Sequence, residues 1–500
     1  MQISYRFYIS FFILIFVNLS LYTEIVPFFH HEPQRTLIAQ EMLIKKEFIK
    51  PTVMGKDYFN KPPLQNWLIA LTSIKSGVIS NFKARLISII SFILLGISML
   101  FVFKDTSDGI KASLITISSY VLLFSYANQA EIDMLFTFLM FASYFLFIKS
   151  PSSYFFIAAS AIFMGLSILA KGISPILFYP PVFFYILISE KGNIALLKML
   201  LLHFVIAITL PVIWLALLSL DINLLAFLEN ARSEMLNRGS FAFKDYLYHL
   251  LSFPLRMLVA TVPYSIVLIF YFKKGLFKDI PVYMSSLLIF SWIFILMLFF
   301  PAGSGRYFMP AIPFFAIIAS YHINCEKSFS KVSKNILLFL FFITLLAGSI
   351  FYLFKGYIFQ PAIFTGTMIY IYYYFKKPAF NIIKETSILV MIFSIIFFHG
   401  YYFYRSKSYY NYNSLMLPAE LTTSKTPIVF DKIYSRDRKL ALHFERISKK
   451  VVYIEGVKNF DNYYYVTNKN NEGCNNLSIL TCPKVKGNLI YILNCAKVKE

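Results

Sequence analysis

Apolar stretches of about 20 residues recur along the first four-fifths of this chain, each long enough to cross the roughly 30 Å of hydrocarbon in a bilayer. Within hydrocarbon a backbone must satisfy its own polar groups, so helix is the form open to such runs. About thirteen spans fit between Phe7 and Tyr404, and they absorb a length that would otherwise suggest several soluble domains. Only 14% of the 500 residues are charged and 58% are hydrophobic, where soluble domains run nearer about 25% charged. The expected fold class is therefore mainly α, a polytopic transmembrane bundle over residues 1–404. Met1–Arg6 followed by the run from Phe7 to Phe29 resembles a signal peptide, but the run is too long and no small-residue cleavage site follows. It is read as a retained first span.

The net charge of +22 points to topology rather than to nucleic acid, because no basic soluble domain is present to hold a polynucleotide. Lys and Arg collect in cytoplasmic loops and beside anionic lipid. One set of alternate loops carries Lys104 and Lys111; Lys149; Lys191 and Lys198; Lys273, Lys274 and Lys278; Lys327, Lys331 and Lys334; and Lys376, Lys377 and Lys384. The opposite short loops carry Lys171, Arg306 and Lys355 singly. The first set is assigned to the cytoplasm, with the N-terminus, and an odd number of spans puts the C-terminus outside.

Two long outer loops follow, 30–83 and 221–252. The first contains an amphipathic stretch, Thr36–Phe48, with Leu37, Ile38, Met42 and Leu43 at helical spacing, which suits a helix lying in the interface. From about Arg405 the pattern changes. Thr426–Phe430, Lys450–Ile454 and Leu489–Leu493 read as strands separated by Gly, Asn and charged residues. A small α/β domain outside the membrane is expected over residues 405–500. Cys474, Cys482 and Cys495 lie in it, with no zinc spacing, and two of them can pair.

Charges at membrane level are costly and usually mark function. Glu131 and Asp133 open one span at its outer end, where an acid also suits the helix dipole; two acids exceed what a cap needs. Glu32 follows the first span as either a site acid or part of a capping box ahead of Pro33. His30 and His31 are adjacent, a poor arrangement for one metal site. Lys61 precedes Pro62 and Pro63, which stiffen the backbone and suit a fixed point charge for phosphate; the alternative is a snorkelling Lys. Lys171 and Arg306 sit in short outer hairpins against the positive-inside bias, as phosphate ligands or as interface anchors.

Glu32, Lys61, Asp133, Lys171 and Arg306 come from distant positions, yet the topology puts all of them on the outer face. Acids with several bases suit group transfer from a phosphorylated donor: an acid orients or deprotonates the acceptor, and bases stabilise charge on the departing phosphate. No Gly-rich phosphate loop is present, so a lipid-phosphate donor fits better than a soluble nucleotide.

At these residues a family resemblance enters. Glu-Pro-Gln-Arg-Thr-Leu-Ile-Ala-Gln-Glu-Met-Leu (32–43), Gly-Lys-Asp-Tyr-Phe-Asn-Lys-Pro-Pro-Leu (55–64) and Ala84-Arg85-Leu86 resemble the first outer loop of membrane glycosyltransferases of the aminoarabinose transferase and protein O-mannosyltransferase group. Residues 130–134, 169–172, 229–232 and 306–310 are similar to later landmarks in order. The resemblance implies a GT-C fold, a polyprenyl-phosphate sugar donor, and transfer to lipid A or a related envelope acceptor at the periplasmic face of an inner membrane. It implies that Lys61 binds donor phosphate, that Asp133 belongs to the catalytic pocket and that Tyr58 lines it. Together with the charge pattern, the expected acid/base is Glu32 or Asp133, the expected phosphate ligands are Lys61, Lys171 and Arg306, and Glu131, His31 and Tyr307 are expected beside Tyr58 in the pocket lining. The family's Asp-Glu pair is His31-Glu32 here, and the acid expected before Lys-Pro-Pro is Asn60. No cofactor is required by these motifs; a divalent cation is the one candidate, and Asn60 weakens it. The expected partners are the lipid-linked sugar, the acceptor and membrane lipid, not nucleic acid. A protein O-mannosyltransferase-like enzyme is the nearest alternative, and a lipid or small-molecule transporter the alternative of another class. The transporter needs mid-membrane charges and broken repeated helices, which are not evident.

Overall fold

The structure is a computed structural model. It describes residues 3–323, except 22, 29, 104–105, 120, 190–191, 224–228, 230–242, 272–279 and 300–304; residues 383–395, except 385 and 393; and residues 416–496, except 435–436, 457–459, 461, 468–474 and 482–488. The expected spans near 335–354 and 357–375, most of the one near 387–404, and most of the second long loop lie outside the described residues.

The first helix, α1 (Tyr5–Leu21), leads into the loop region: α2 (Glu32–Lys45), a hairpin of β1 (Thr52–Val53) and β2 (Lys56–Asp57), and α3 (Leu64–Leu71). Then come α4 (Asn81–Ser98), α5 (Thr106–Ile117), α6 (Ile132–Lys149), α7 (Tyr154–Lys171), α8 (Ser174–Leu177), α9 (Pro180–Ser189) and α10 (Ile194–Leu218). Further on lie α11 (Phe243–Ala260), α12 (Tyr264–Tyr271), α13 (Pro281–Phe299) and α14 (Ile312–His322). Among the described residues, five helical stretches are long and apolar enough to cross a membrane: Asn81–Phe101, Ile132–Lys149, Tyr154–Lys171, Ile194–Leu218 and Pro281–Phe299. The span expected over Ile110–Tyr126 differs. Its α5 is 12 residues, about 18 Å at 1.5 Å per residue, and a π-helical turn, Val121–Tyr126, follows.

Packing in the bundle relies on small residues and satisfied hydroxyls. α7 lies along both α6 and α10. Gly165 lets α7 approach α10 closely: a Cβ there would stand 2.6 Å from the Ala207 carbonyl oxygen. Deeper in the bundle, Ser160 Oγ donates to the Ser143 carbonyl at 2.6 Å, and the Tyr179 hydroxyl lies 2.9 Å from Ser143 Oγ and 3.0 Å from His203 Nε2. This cluster ties α6, α7, the start of α9 and α10 together where no water can satisfy a polar group.

The C-terminal part contains α15 (Glu420–Thr423), β3 (Ile428–Phe430), α16 (Arg438–Ser448), β4 (Val452–Ile454), β5 (Asn462–Thr467), β6 (Asn475–Thr481) and β7 (Leu489–Ala496). They form one mixed sheet in the order β4-β3-β5-β7-β6. β3 runs parallel to β4 and β5, and β7 antiparallel to β5 and β6. α16 is the crossover between parallel β3 and β4; Asp437 caps it by accepting from the Leu440 amide at 3.0 Å, and Lys449 ends it at φ 55°. Cys495 is disulfide-bonded, to a partner outside the described residues.

Among the described residues this sheet shares its core with the first loop. Ile428, Phe430, Leu440, Phe444, Val452 and Ile492 belong to one buried cluster with Phe28, Leu37, Met54, Ile69, Ala84 and Ala130 of the first loop and the adjoining helices. The expectation of an interfacial α2 is corrected accordingly: every residue from Glu32 to Met42 is buried, because α16 covers the helix. Its apolar stripe meets protein where a membrane surface was expected.

Candidate active site

α2 sets the first wall. Pro33 in its first turn fixes the start of the helix, and His31 stands just ahead with Gln34 and Arg35 one turn on. The hairpin supplies the second wall. Met54 and Gly55 both have positive φ, 51° and 73°, as a two-residue type I′ turn demands, and the chain leaves it through Tyr58, Asn60 and Lys61 into the two prolines. α6 begins at the same end of the bundle with Glu131 and Asp133, and α7 ends there with Lys171. A 3-10 turn, Gly305–Ala311, brings Arg306 and Tyr307. These residues, with Ile132, Ser174 and Arg438 at the start of α16, enclose a cavity of about 270 Å³.

Of the expected site residues, Lys61, Asp133, Lys171, Arg306, Tyr58, Glu131, His31 and Tyr307 line that cavity; Glu32 does not. Glu32 is fully buried behind it. Its carboxylate receives Arg85 Nε at 2.8 Å and Nη2 at 2.9 Å, and the Ala130 amide at 2.8 Å. Arg85 also donates to the carbonyls of Thr23 and Val26 at 2.6 and 2.9 Å and stacks 5.0 Å from the Phe28 ring centroid. Glu32, expected among the catalytic acids, stands outside the cavity lining. An acid with both oxygens engaged by a buried guanidinium and an amide anchors α2, α4 and the segment before α6.

The remaining charges are arranged asymmetrically. Asp133 Oδ1 accepts from Lys171 Nζ at 2.6 Å, and Lys171 lies between the rings of Phe136 and Tyr307, 4.5 and 4.8 Å from their centroids. The Lys171 expectation is thus refined: this base is already neutralised by an acid of the neighbouring helix. Glu131 Oε1 accepts from the His31 amide at 3.1 Å. Glu131 precedes the first residue of α6, and burial, reinforced by the Asp133 charge, raises its carboxyl to about 7. Burial, then the charges of Arg306, Arg35 and Arg438, lower the pKa of the His31 imidazole, so this ring is neutral at pH 7.

The cavity holds five bases, Arg35, Lys61, Lys171, Arg306 and Arg438, against two acids. Arg35 Nη1 donates to the Tyr58 hydroxyl at 3.1 Å, and the guanidinium lies 5.6 Å from that ring centroid. Arg35 Nε and Arg306 Nε are buried without a hydrogen-bond partner among the described residues. Unsatisfied buried guanidinium donors are costly unless a ligand completes them, and an anion of several oxygens matches their fork geometry. A divalent cation fits less well. Among the described residues no three His, Cys, Asp or Glu side chains converge as a metal set, and Asp133 is committed to Lys171.

The sequence reading missed Arg35, Gln34 and Arg438. Arg35 was visible as the Arg of the Glu-Pro-Gln-Arg run. Arg438 carried no signal beyond the cap at Asp437, because its helix reaches the cavity only through the tertiary fold.

No protein-family model matches the chain. An uncharacterized protein of Aquifex aeolicus (strain VF5) is 27% identical over an alignment of 340 positions, which covers 62% of this chain and 62% of that protein. The crystal structure of ArnT from Cupriavidus metallidurans bound to undecaprenyl phosphate superposes with a TM-score of 0.74, covering 98% of both chains at 15% identity. The apo form of the same protein gives 0.71 over 97% of both chains at 14% identity. Bundle, cavity end and C-terminal sheet together therefore have the fold of ArnT.

Proposed function

We propose that this chain is a GT-C glycosyltransferase of about thirteen spans that moves a sugar from a polyprenyl phosphate to lipid A or a related envelope acceptor. On this reading residues 1–404 form the transmembrane transferase domain and 405–500 a periplasmic domain, the cavity opens at the periplasmic face of an inner membrane, and the N-terminus is cytoplasmic. The observation that carries the reading is the excess of cationic side chains over acids in one cavity, two of them with unsatisfied donors. The ArnT structure with undecaprenyl phosphate supports the choice of anion.

Lys61, Arg35, Arg306 and Arg438 hold the donor phosphate. The acceptor oxygen attacks the anomeric carbon, the bond from that carbon to the phosphate oxygen breaks, and the electron pair leaves on polyprenyl phosphate, where the bases meet the added charge. A hydroxyl acceptor gives up its proton to Glu131, the carboxyl poised for exchange near neutral pH. Asp133, fixed by Lys171, orients the acceptor and the growing positive charge at the sugar. Glu32 acts through Arg85 as a positioning residue.

The test is to incubate the purified chain with labelled polyprenyl-phosphate sugars and lipid A, then to weigh the lipid products by mass spectrometry. Labelled lipid A is the expected result. Label on a peptide Ser or Thr moves the acceptor to protein, and no transfer to any acceptor overturns the reading.

A further inference from the structure

The charge of the cavity constrains more than the phosphate. Among the described residues its lining holds five bases and two acids, an excess of three positive charges even with both acids ionised. Neither acid is set to receive a further cation. Asp133 already takes Lys171 at 2.6 Å, and that ammonium is lodged against the Phe136 and Tyr307 rings. Glu131 takes the His31 amide, and its carboxyl, raised to about 7, is only partly ionised at neutral pH. Much of the remaining lining is uncharged: the Gln34 and Asn60 amides and the Ser174 and Tyr58 hydroxyls offer both donors and acceptors.

We infer that the sugar transferred by this chain carries no cationic group: its ring bears hydroxyls or a carboxylate, and a donor with a free amine, aminoarabinose included, is selected against. The inference rests on the transferase reading and names the substrate class of the same site. A phosphodiester between lipid and sugar brings one negative charge, which leaves the lining in positive excess. A sphere of 270 Å³ is about 8 Å across, no wider than the Debye length in physiological salt. A ring seated in it therefore meets every lining charge with little screening, wherever in the cavity it lies. An ammonium placed there faces Arg35, Lys61, Arg306 and Arg438 and must share Asp133 with Lys171. Such like-charge juxtaposition is how a site rejects a near-isostere that differs by one charge.

Hydrogen bonding points the same way. Arg35 Nε and Arg306 Nε are buried donors without a partner among the described residues. An ammonium has donors and no acceptor, so it leaves both unsatisfied. A hydroxyl or carboxylate oxygen at the same ring position can accept from them, which removes the cost of a buried unpaired donor.

The test is a competition for binding. The full chain in lipid nanodiscs is loaded with labelled undecaprenyl phosphate at pH 7, and unlabelled donors displace it: undecaprenyl-phosphoryl-glucose, its glucuronic acid counterpart, and its 4-amino-4-deoxy counterpart, which differs from the first by one amine. At least one of the glucosyl and glucuronyl donors should compete at concentrations about tenfold or more below the amino donor. Asn60→Asp and Gln34→Glu each add a carboxylate to the lining and should narrow that gap. An amino donor that competes as well as the other two, or a gap unchanged in both variants, would overturn the inference and leave the transferase reading in place. Labelled undecaprenyl phosphate that does not bind at all would remove that reading and the inference with it.

Discussion

Glu131 and Asp133 stand two residues apart at one helix end and have different environments. Asp133 is held by Lys171 at 2.6 Å, whereas Glu131, among the described residues, takes the His31 amide and is raised to about 7 by burial and its neighbour. If Glu131 accepts the acceptor proton, transfer should rise with pH by about tenfold between pH 6 and 8, and Glu131→Gln should flatten that limb. A pH–rate profile of the purified chain checks this, and a limb unchanged in the Gln variant would assign it elsewhere. Lys61, Asp133, Lys171 and Arg306, singled out because charge at membrane level is rare and needs a reason, do come together at one cavity. Rarity marks a residue that matters, and it does not separate an acid lining the cavity from one paired with a buried Arg85, as Glu32 is.

Among the elements, α2 was legible as a helix from its spacing, but its neighbour was not. Amphipathicity states that one face seeks an apolar surface and leaves open whether that surface is lipid or protein. Here α16 takes the place of the membrane, through residues 400 positions later in the chain. β3, β4 and β7 were read from their β-branched and aromatic runs, β5 and β6 were not singled out, and the mixed order depends on pairings that no local pattern encodes. The Glu32–Arg85 pair is the joint between α2, α4 and the start of α6. Arg85→Met leaves Glu32 buried without its counter-charge, and a loss of about 3–5 kcal/mol is expected. Thermal unfolding of the purified protein should show it as a lowered midpoint, partly restored by adding Glu32→Gln. A wild-type midpoint in the single variant would remove the joint from the account.

At the level of the whole molecule, the loop region and the C-terminal sheet share one buried cluster, so the cavity is walled from both ends of the chain. Bundle and sheet together match ArnT over nearly the entire length at 15% identity. The fold brings to one cavity a helix end with acids, the turn with Lys61, the 3-10 turn with Arg306, and α16 with Arg438. A structure of the chain in lipid with undecaprenyl phosphate added tests the central claim most directly. The phosphate should lie within hydrogen-bonding distance of Lys61 and of at least one of Arg306 and Arg438, and Lys61→Ala should weaken binding by about tenfold or more, the loss of one charged hydrogen bond. A phosphate seated away from these side chains, or binding untouched by Lys61→Ala, would contradict it.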